Sequence, residues 1–133
     1  MAPNERPADT REARERFPGT VTSPAAVRRF VRQVLARWCV GVSSRDDVVL
    51  LTNELASNAV EHATGGFTVA LRYAKPTIRV EVFDRGPDLP AIRDLPMNAD
   101  RGRGLVLVDR LASGWGANAA AGGKVVWFEL GVI

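Results

Sequence analysis

The sequence predicts an α+β fold in which helices cover one face of a mostly antiparallel sheet. Three observations lead to this prediction. Two early segments place apolar residues at helical spacing, and two later segments alternate apolar with polar residues and are joined by a short turn. The C-terminal part contains a further short helix and two further strands, as judged from the same spacing of apolar residues. Because antiparallel strands can be joined by tight turns and can leave one face to solvent, this order favours a two-layer sandwich.

The helical segments come first along the chain. We predict a short edge strand over residues 16–22, followed by a helix that Ser23 caps and that ends near Gly41. A second helix begins with Ser44 as its cap and continues to His62. Both helices carry an apolar stripe with the period of an α-helix, so each is expected to bury one face.

The strands follow, and their alternation is the evidence for them. Residues 67–73 and 77–83 alternate apolar with polar side chains, and residues 74–76 form the turn between them. The later predicted elements are a long connection over 87–100, a helix over 102–111, a strand over 114–118, a turn over 119–123 and a last strand over 125–132.

Length and composition indicate one domain. A chain of 133 residues with 46% hydrophobic residues can bury a core without a disulfide or a structural metal. Residues 1–15 are polar and charged, so we expect a disordered arm there and a single domain over residues 16–133.

Composition also excludes several classes of protein. Cys39 and His62 are the only residues of their types, which excludes a disulfide framework and a Cys/His zinc site. The net charge of +3 arises from scattered arginines rather than from a basic patch with aromatics, so we expect no nucleic-acid partner. No apolar run has the length of a signal peptide or a membrane span, and we expect a soluble cytoplasmic protein without a membrane partner.

The second helix carries the first candidate site. At 100° per residue Asp47, Glu54, Asn58 and Glu61 share one narrow arc beside the apolar stripe, which suggests that the arc borders a pocket. An asparagine oxygen is a suitable ligand for Mg²⁺, and a glutamate one turn away can act as a general base. On spacing alone, however, such a pair is more often a solvated pair on a helix surface.

The second candidate site follows the second strand of the hairpin. Asp84 at a strand end can accept a hydrogen bond from an adenine amino group, and Gly86 would allow the base to approach the backbone. An Asp-x-Gly sequence after a strand is by itself most often a turn.

The third candidate site is the start of the predicted helix after the long connection. Gly102 and Gly104 would leave backbone amides open to phosphate oxygens, and Arg101 and Arg103 would add positive charge. Gly-x-Gly before a helix is usually only a helix start. The three patterns in this order along one chain are much more specific than any of them alone.

These patterns resemble the motifs of a known family. ELASNAVEH is similar to the N box of the GHKL ATP-binding superfamily, DRGPDLP to its first glycine box, and RGRGLVLVDRLA to its second. The resemblance covers about residues 23–130. Within the superfamily the likeness is greatest to stand-alone anti-sigma-factor kinases of actinobacterial type. It implies the Bergerat fold, a two-layer α/β sandwich with a mixed, mostly antiparallel sheet and helices on one face.

The resemblance also implies a function. Such proteins bind ATP and Mg²⁺, bind a sigma factor, phosphorylate a serine or threonine of an anti-anti-sigma (STAS) protein, and form homodimers. By this likeness Glu54 takes the position of the catalytic base and Asn58 that of the Mg²⁺ ligand. The remaining residues at nucleotide-binding positions are Asp84, Gly86, Arg101, Gly102, Arg103, Gly104 and Leu105.

Two departures from the family pattern leave alternatives open. Asp88 stands where the first glycine box usually has its second glycine, and Val125 is aligned with a threonine that the last strand often carries near the adenine. These departures favour a nucleotide-gated module that sequesters a regulator without phosphotransfer. A third alternative is an interaction domain that no longer binds nucleotide. A P-loop is excluded, since no Gly-x-x-x-x-Gly-Lys-Ser/Thr sequence occurs.

Overall fold

The computed structural model describes residues 10–62, 65–85 and 100–132, with the backbone alone at residue 62 and over residues 100–105. The elements in chain order are β1 (Arg11–Phe17), α1 (Ser23–Arg37), α2 (Val42–His62), β2 (Phe67–Ala74), β3 (Thr77–Asp84), α3 (Asp100–Leu111), β4 (Gly114–Ala120) and β5 (Gly123–Gly131).

The sheet has the strand order β1-β2-β3-β5-β4, and each of its described pairings is antiparallel. The predicted hairpin is confirmed as β2 and β3, whose partners run from Phe67 opposite Asp84 to Ala74 opposite Thr77. Strand β5 pairs with β3, although α3 and β4 lie between them in sequence. This crossover places β3 and β5 in the centre of the sheet.

The core lies between one face of the sheet and helices α1 and α2. Alternate residues of the strands point to this face, as the strict alternation of buried and partly exposed positions in β3 shows. Helix α1 packs on α2 and β1, and α2 packs on β3, β5 and α3. The largest fully buried side chains are Phe67, Phe128, Leu35, Leu51, Leu55, Leu71, Ile78, Val27, Val31, Val34, Val48 and Val69. The prediction of an α+β sandwich with helices on one face is confirmed.

The opposite face of the sheet is polar. Arg79 bridges Glu81 and Glu129 with nitrogen–oxygen distances of 3.0 Å each, and its guanidinium lies 4.1 Å from the ring centroid of Trp127. These groups are only partly exposed. Charged side chains that pair with one another and stack on an aromatic ring suit a sheet face that contacts water. The other face of the sheet forms the core.

The edge strand lies earlier in the chain than the sequence predicted. Residues 11–15, which we expected in a disordered arm, belong to β1. The strand predicted over residues 16–22 overlaps β1 only at residues 16 and 17, the last two residues of β1. Within β1 only Ala13, which is half-buried against the core, and Phe17, which is fully buried, face inward with apolar side chains. The charged residues between them hide the apolar alternation by which a strand is recognised in a sequence. Charged residues on an edge strand oppose pairing with other chains.

The helix starts also differ from the prediction. Ser23 is the first residue of α1 rather than its cap, and its hydroxyl donates a hydrogen bond to the carbonyl oxygen of Pro18. Helix α2 begins at Val42, so that Ser44 lies inside the helix with its side chain buried. In both places the serine is buried within the first turn of its helix instead of preceding the helix as a cap.

The last two strands are longer than predicted. Strand β4 continues to Ala120 and β5 begins at Gly123, which leaves Ala121 and Gly122 as the turn. Gly122 has a φ of +78°, a conformation that other residues rarely adopt.

No helix within the described residues is long and apolar enough to cross a membrane.

We expect Phe17→Ala to lower the free energy of unfolding by about 3–5 kcal/mol, because the ring stacks on Phe67 and contacts the edge of Phe30, with centroids 5.8 Å apart in both pairs. Urea denaturation followed by circular dichroism would measure the change. The control is Arg14→Ala at an exposed position of the same strand, expected within about 0.5 kcal/mol of wild type. A Phe17→Ala effect as small as that of the control would mean that β1 contributes little to the fold.

Candidate functional site

Helix α2 presents Glu54 and Asn58 one turn apart at its middle. Both side chains are half-buried, whereas Asp47 and Glu61 at the two ends of the predicted arc are exposed. Leu55, adjacent to Glu54, is fully buried in the core. The helix therefore shields its two central polar residues partly from water while its apolar stripe packs on the sheet.

A side-chain hydrogen bond joins α2 to α1. Arg28 Nη1 donates a hydrogen bond of 2.7 Å to Asn53 Oδ1, and both residues are half-buried. Asn53 therefore serves the helix–helix interface, although it stands directly before Glu54 in the sequence. This contact belongs to the packing of α2 on α1, and the residue that makes it is adjacent to Glu54 in the sequence.

Partial burial changes the proton affinity of Glu54. Desolvation raises the pKa of the Glu54 carboxyl group above its ordinary value, since burial disfavours the charged form. A carboxylate with a raised pKa binds a proton more strongly than one in water. This is the property that a general base needs at neutral pH.

Asp84 is the last residue of β3 and is 2% exposed. It follows Ile78, Val80 and Val82 on the inward-facing side of the strand, so the alternation that builds the core also turns its carboxylate inward. The sequence placed Asp84 at a strand end correctly. Its burial in the helix-covered layer was not evident from the Asp-x-Gly pattern.

Lys124 on β5 is the partner of Asp84 across the sheet. The two residues are directly opposite in the register of β3 and β5, and Lys124 Nζ lies 3.5 Å from Asp84 Oδ1. Lys124 is 4% exposed. The sequence analysis missed this residue, although its alternation with Val126 and Phe128 assigns it to the inward face.

Val125 does not lie beside Asp84, and the alignment that placed it near an adenine site is wrong. Its register partner is Phe83, and it lines a shallow hollow on the polar face of the sheet together with Thr68 and Glu81. Adjacent residues of a strand point to opposite faces, so a shift of one position exchanges the two sides. The last-strand side chain beside Asp84 is that of Lys124.

Gly123 allows β5 to approach the end of β3. A Cβ atom at this position would collide with the carbonyl oxygen of Asp84 and would meet Arg85 Cα at 2.9 Å. A larger residue would therefore separate the strands where Asp84 and Lys124 meet.

The glycine-rich segments are only partly described. Gly102 and Gly104 lie within the first five residues of α3, which begins at Asp100, two residues before the predicted start. Helix α3 packs on α2, the helix that carries Glu54 and Asn58. Gly86, Asp88 and the side chains of Arg101, Arg103 and Leu105 lie outside the described part of the structure.

The described residues include no group of three or more His, Cys, Asp or Glu side chains that could hold a metal ion. Asn58 offers a carboxamide oxygen, which is a ligand type that Mg²⁺ accepts. An ion with few protein ligands and several water or phosphate ligands fits this donor set.

The pKa of Glu54 makes stability depend on pH. Its folded-state pKa lies above the unfolded value, so its contribution to stability is fully present below the unfolded pKa and is lost as pH rises through the raised value. We expect Glu54→Gln to be more stable than wild type at pH 8, with a difference that shrinks towards pH 4. Thermal melts across this range, with the exposed Glu61→Gln as the control, would reveal it. A difference independent of pH would contradict the assignment.

Both the structure and the sequence of this chain are similar to those of known proteins. The chain is similar to the structure of the RsbU and RsbW domains of Rv1364c from Mycobacterium tuberculosis, with a TM-score of 0.72 and 24% identity over 92% of this chain and 32% of that one. None of the curated proteins matches the chain. The sequence profile of the histidine kinase-like ATPase domain matches residues 17–130, from the end of β1 almost to the end of β5. The chain belongs to the histidine kinase-like ATPase domain family.

Proposed function

We propose that this protein binds ATP with Mg²⁺ and transfers the γ-phosphoryl group to a serine or threonine of an anti-anti-sigma (STAS) partner, as an anti-sigma-factor kinase. The observation that carries the proposal is the half-buried Glu54 with its raised pKa, one helical turn before Asn58. Family membership supports ATP as the substrate. The similarity of the three sequence motifs to those of anti-sigma-factor kinases supports the choice of partner.

Glu54 is the base in this proposal. The hydroxyl oxygen of the partner attacks the γ-phosphorus, and its proton passes to the Glu54 carboxylate. The bond between the γ-phosphorus and the β–γ bridging oxygen breaks, and ADP leaves with the electron pair. Because partial burial raises the proton affinity of Glu54, the carboxylate accepts this proton more readily than a fully hydrated one would.

Asn58 and Asp84 bind the nucleotide in this proposal. Asn58 would hold Mg²⁺, and a bound ion would supply positive charge to neutralise the phosphates. Asp84 accepts a hydrogen bond from the adenine amino group, and the start of α3 at Gly102 and Gly104 faces the phosphates. The contacts of α2 with β3 and α3 support one site, because they join the three elements that carry these residues.

The alternative of a binding module without phosphotransfer keeps its two motivating departures, but one of them belongs to another residue. Val125 lies on the polar face of the sheet, away from Asp84, and the residue beside Asp84 is Lys124, which also lacks a threonine hydroxyl. Asp88, the other departure, lies outside the described residues.

Two substitutions on α2 test the roles separately. We expect Asn58→Ala to abolish the Mg²⁺-dependent part of ATP binding, measured by calorimetric titration with and without Mg²⁺. We expect Glu54→Gln to bind ATP nearly as wild type does but to transfer phosphate about 10²–10⁴-fold more slowly, because a glutamine cannot accept the proton. Transfer from γ-labelled ATP to STAS proteins encoded near the gene is the measurement.

Glu61→Gln is the matched control, since Glu61 lies on the same helix but is exposed. It should bind ATP and transfer phosphate at the wild-type rate. Tight ATP binding by wild type without transfer to any of these STAS proteins would favour the binding module. No ATP binding by folded wild type would refute the nucleotide site itself.

A further inference from the structure

The ion pair between Asp84 and Lys124 stands at the end of an otherwise apolar row of inward-facing residue pairs. Along β3 and β5 the inward-facing pairs before it are Ile78–Leu130, Val80–Phe128 and Val82–Val126. Asp84 and Lys124 form the next pair, with side chains that are 2% and 5% exposed.

Stability alone does not account for charges at this position. Removing an ammonium and a carboxylate from water costs several kcal/mol for each ion, and their mutual attraction often only balances this cost. An apolar pair would continue the row without that cost. A charged pair at the end of the row is instead consistent with a carboxylate that has a chemical task and a cation that holds it.

We infer that Lys124 is a positioning residue of the nucleotide site, which holds the Asp84 carboxylate where it accepts a hydrogen bond from the adenine amino group. This inference rests on the proposed function, because it assigns Asp84 to the base. Lys124 acts through Asp84 and does not contact the base itself. By holding the carboxylate in place, it increases the selectivity of the site for a base with an amino group at C6.

The backbone makes Lys124 suitable for this role. Asp84 is the final residue of its strand, and the sheet pairing of β3, to Phe67 on one side and Lys124 on the other, ends at this residue. Lys124 lies opposite it inside β5, and the absence of a side chain at Gly123 lets β5 approach Asp84 closely. The ammonium group therefore adds a restraint on the carboxylate where the strand ends.

A restrained acceptor discriminates between purines. Adenine presents an amino donor to the Asp84 carboxylate, whereas hypoxanthine presents a carbonyl oxygen at the same position. Two acceptors that face each other in a buried site repel and form no hydrogen bond, so a fixed carboxylate rejects hypoxanthine more strongly than a mobile one.

The test compares the affinities of ATP and inosine triphosphate (ITP) for wild type and Lys124→Met by calorimetric titration with Mg²⁺. We expect wild type to bind ATP about tenfold or more tightly than ITP. Lys124→Met should lose about tenfold in ATP affinity and much of the discrimination. Lys75→Met is the matched control, since Lys75 lies in the exposed β2–β3 turn at the opposite end of β3.

A double-mutant cycle separates positioning from a direct contact. If Lys124 acts through Asp84, Lys124→Met should change ATP affinity by less than about twofold in an Asp84→Asn background. Circular dichroism and thermal melts establish that each variant is folded. Lys124→Gln, which is polar but uncharged, carries the same expectations and serves in place of Lys124→Met if the methionine variant does not fold.

Three outcomes would overturn the inference. Wild-type affinity and discrimination in folded Lys124→Met and Lys124→Gln would refute it while leaving the proposed function intact. An equal loss for ATP and ITP that persists in the Asp84→Asn background would show that Lys124 acts elsewhere. If folded wild type binds neither nucleotide, the proposed function fails and the inference fails with it.

Discussion

The antiparallel pairing of β3 with β5 is the constraint on which the rest of the structure depends. These central strands supply the inward ladder of apolar pairs against which α2 packs, and the same register brings Asp84 opposite Lys124. Because side chains alternate between faces, one register determines both the core and the position of the charged pair. The apolar pairs of the two central strands and the charged pair at their end therefore depend on one set of backbone hydrogen bonds.

The candidate site lies where the core ends. Glu54 is adjacent to the buried Leu55, and Asp84 continues the line of Val82 and Val80. Burial by these neighbours raises the pKa of Glu54 and removes Asp84 and Lys124 from solvent. Polar groups in such surroundings are costly for stability, and this cost is consistent with a functional role.

Strand β1 shows how a fold can use a segment of disordered-like composition. Its arginines and glutamates satisfy the criteria for a solvated arm, yet Phe17 stacks on Phe67 and the whole strand pairs with β2. One buried aromatic and a ladder of backbone hydrogen bonds outweigh the polar composition. Local sequence does not contain that information, because the stabilising partner lies some fifty residues away along the chain.

The sequence by itself determined the α+β class, the two long helices and the β2–β3 hairpin, because period and turn residues are local properties. It also indicated Glu54, Asn58 and Asp84 as candidate site residues through their resemblance to family motifs. Only the tertiary structure decided the strand order and the inclusion of β1 in the sheet. It also decided that Lys124, and not Val125, lies beside Asp84. These features depend on which strands pair and in which register. Pairing is settled by contacts between residues distant in the chain, which no local pattern specifies.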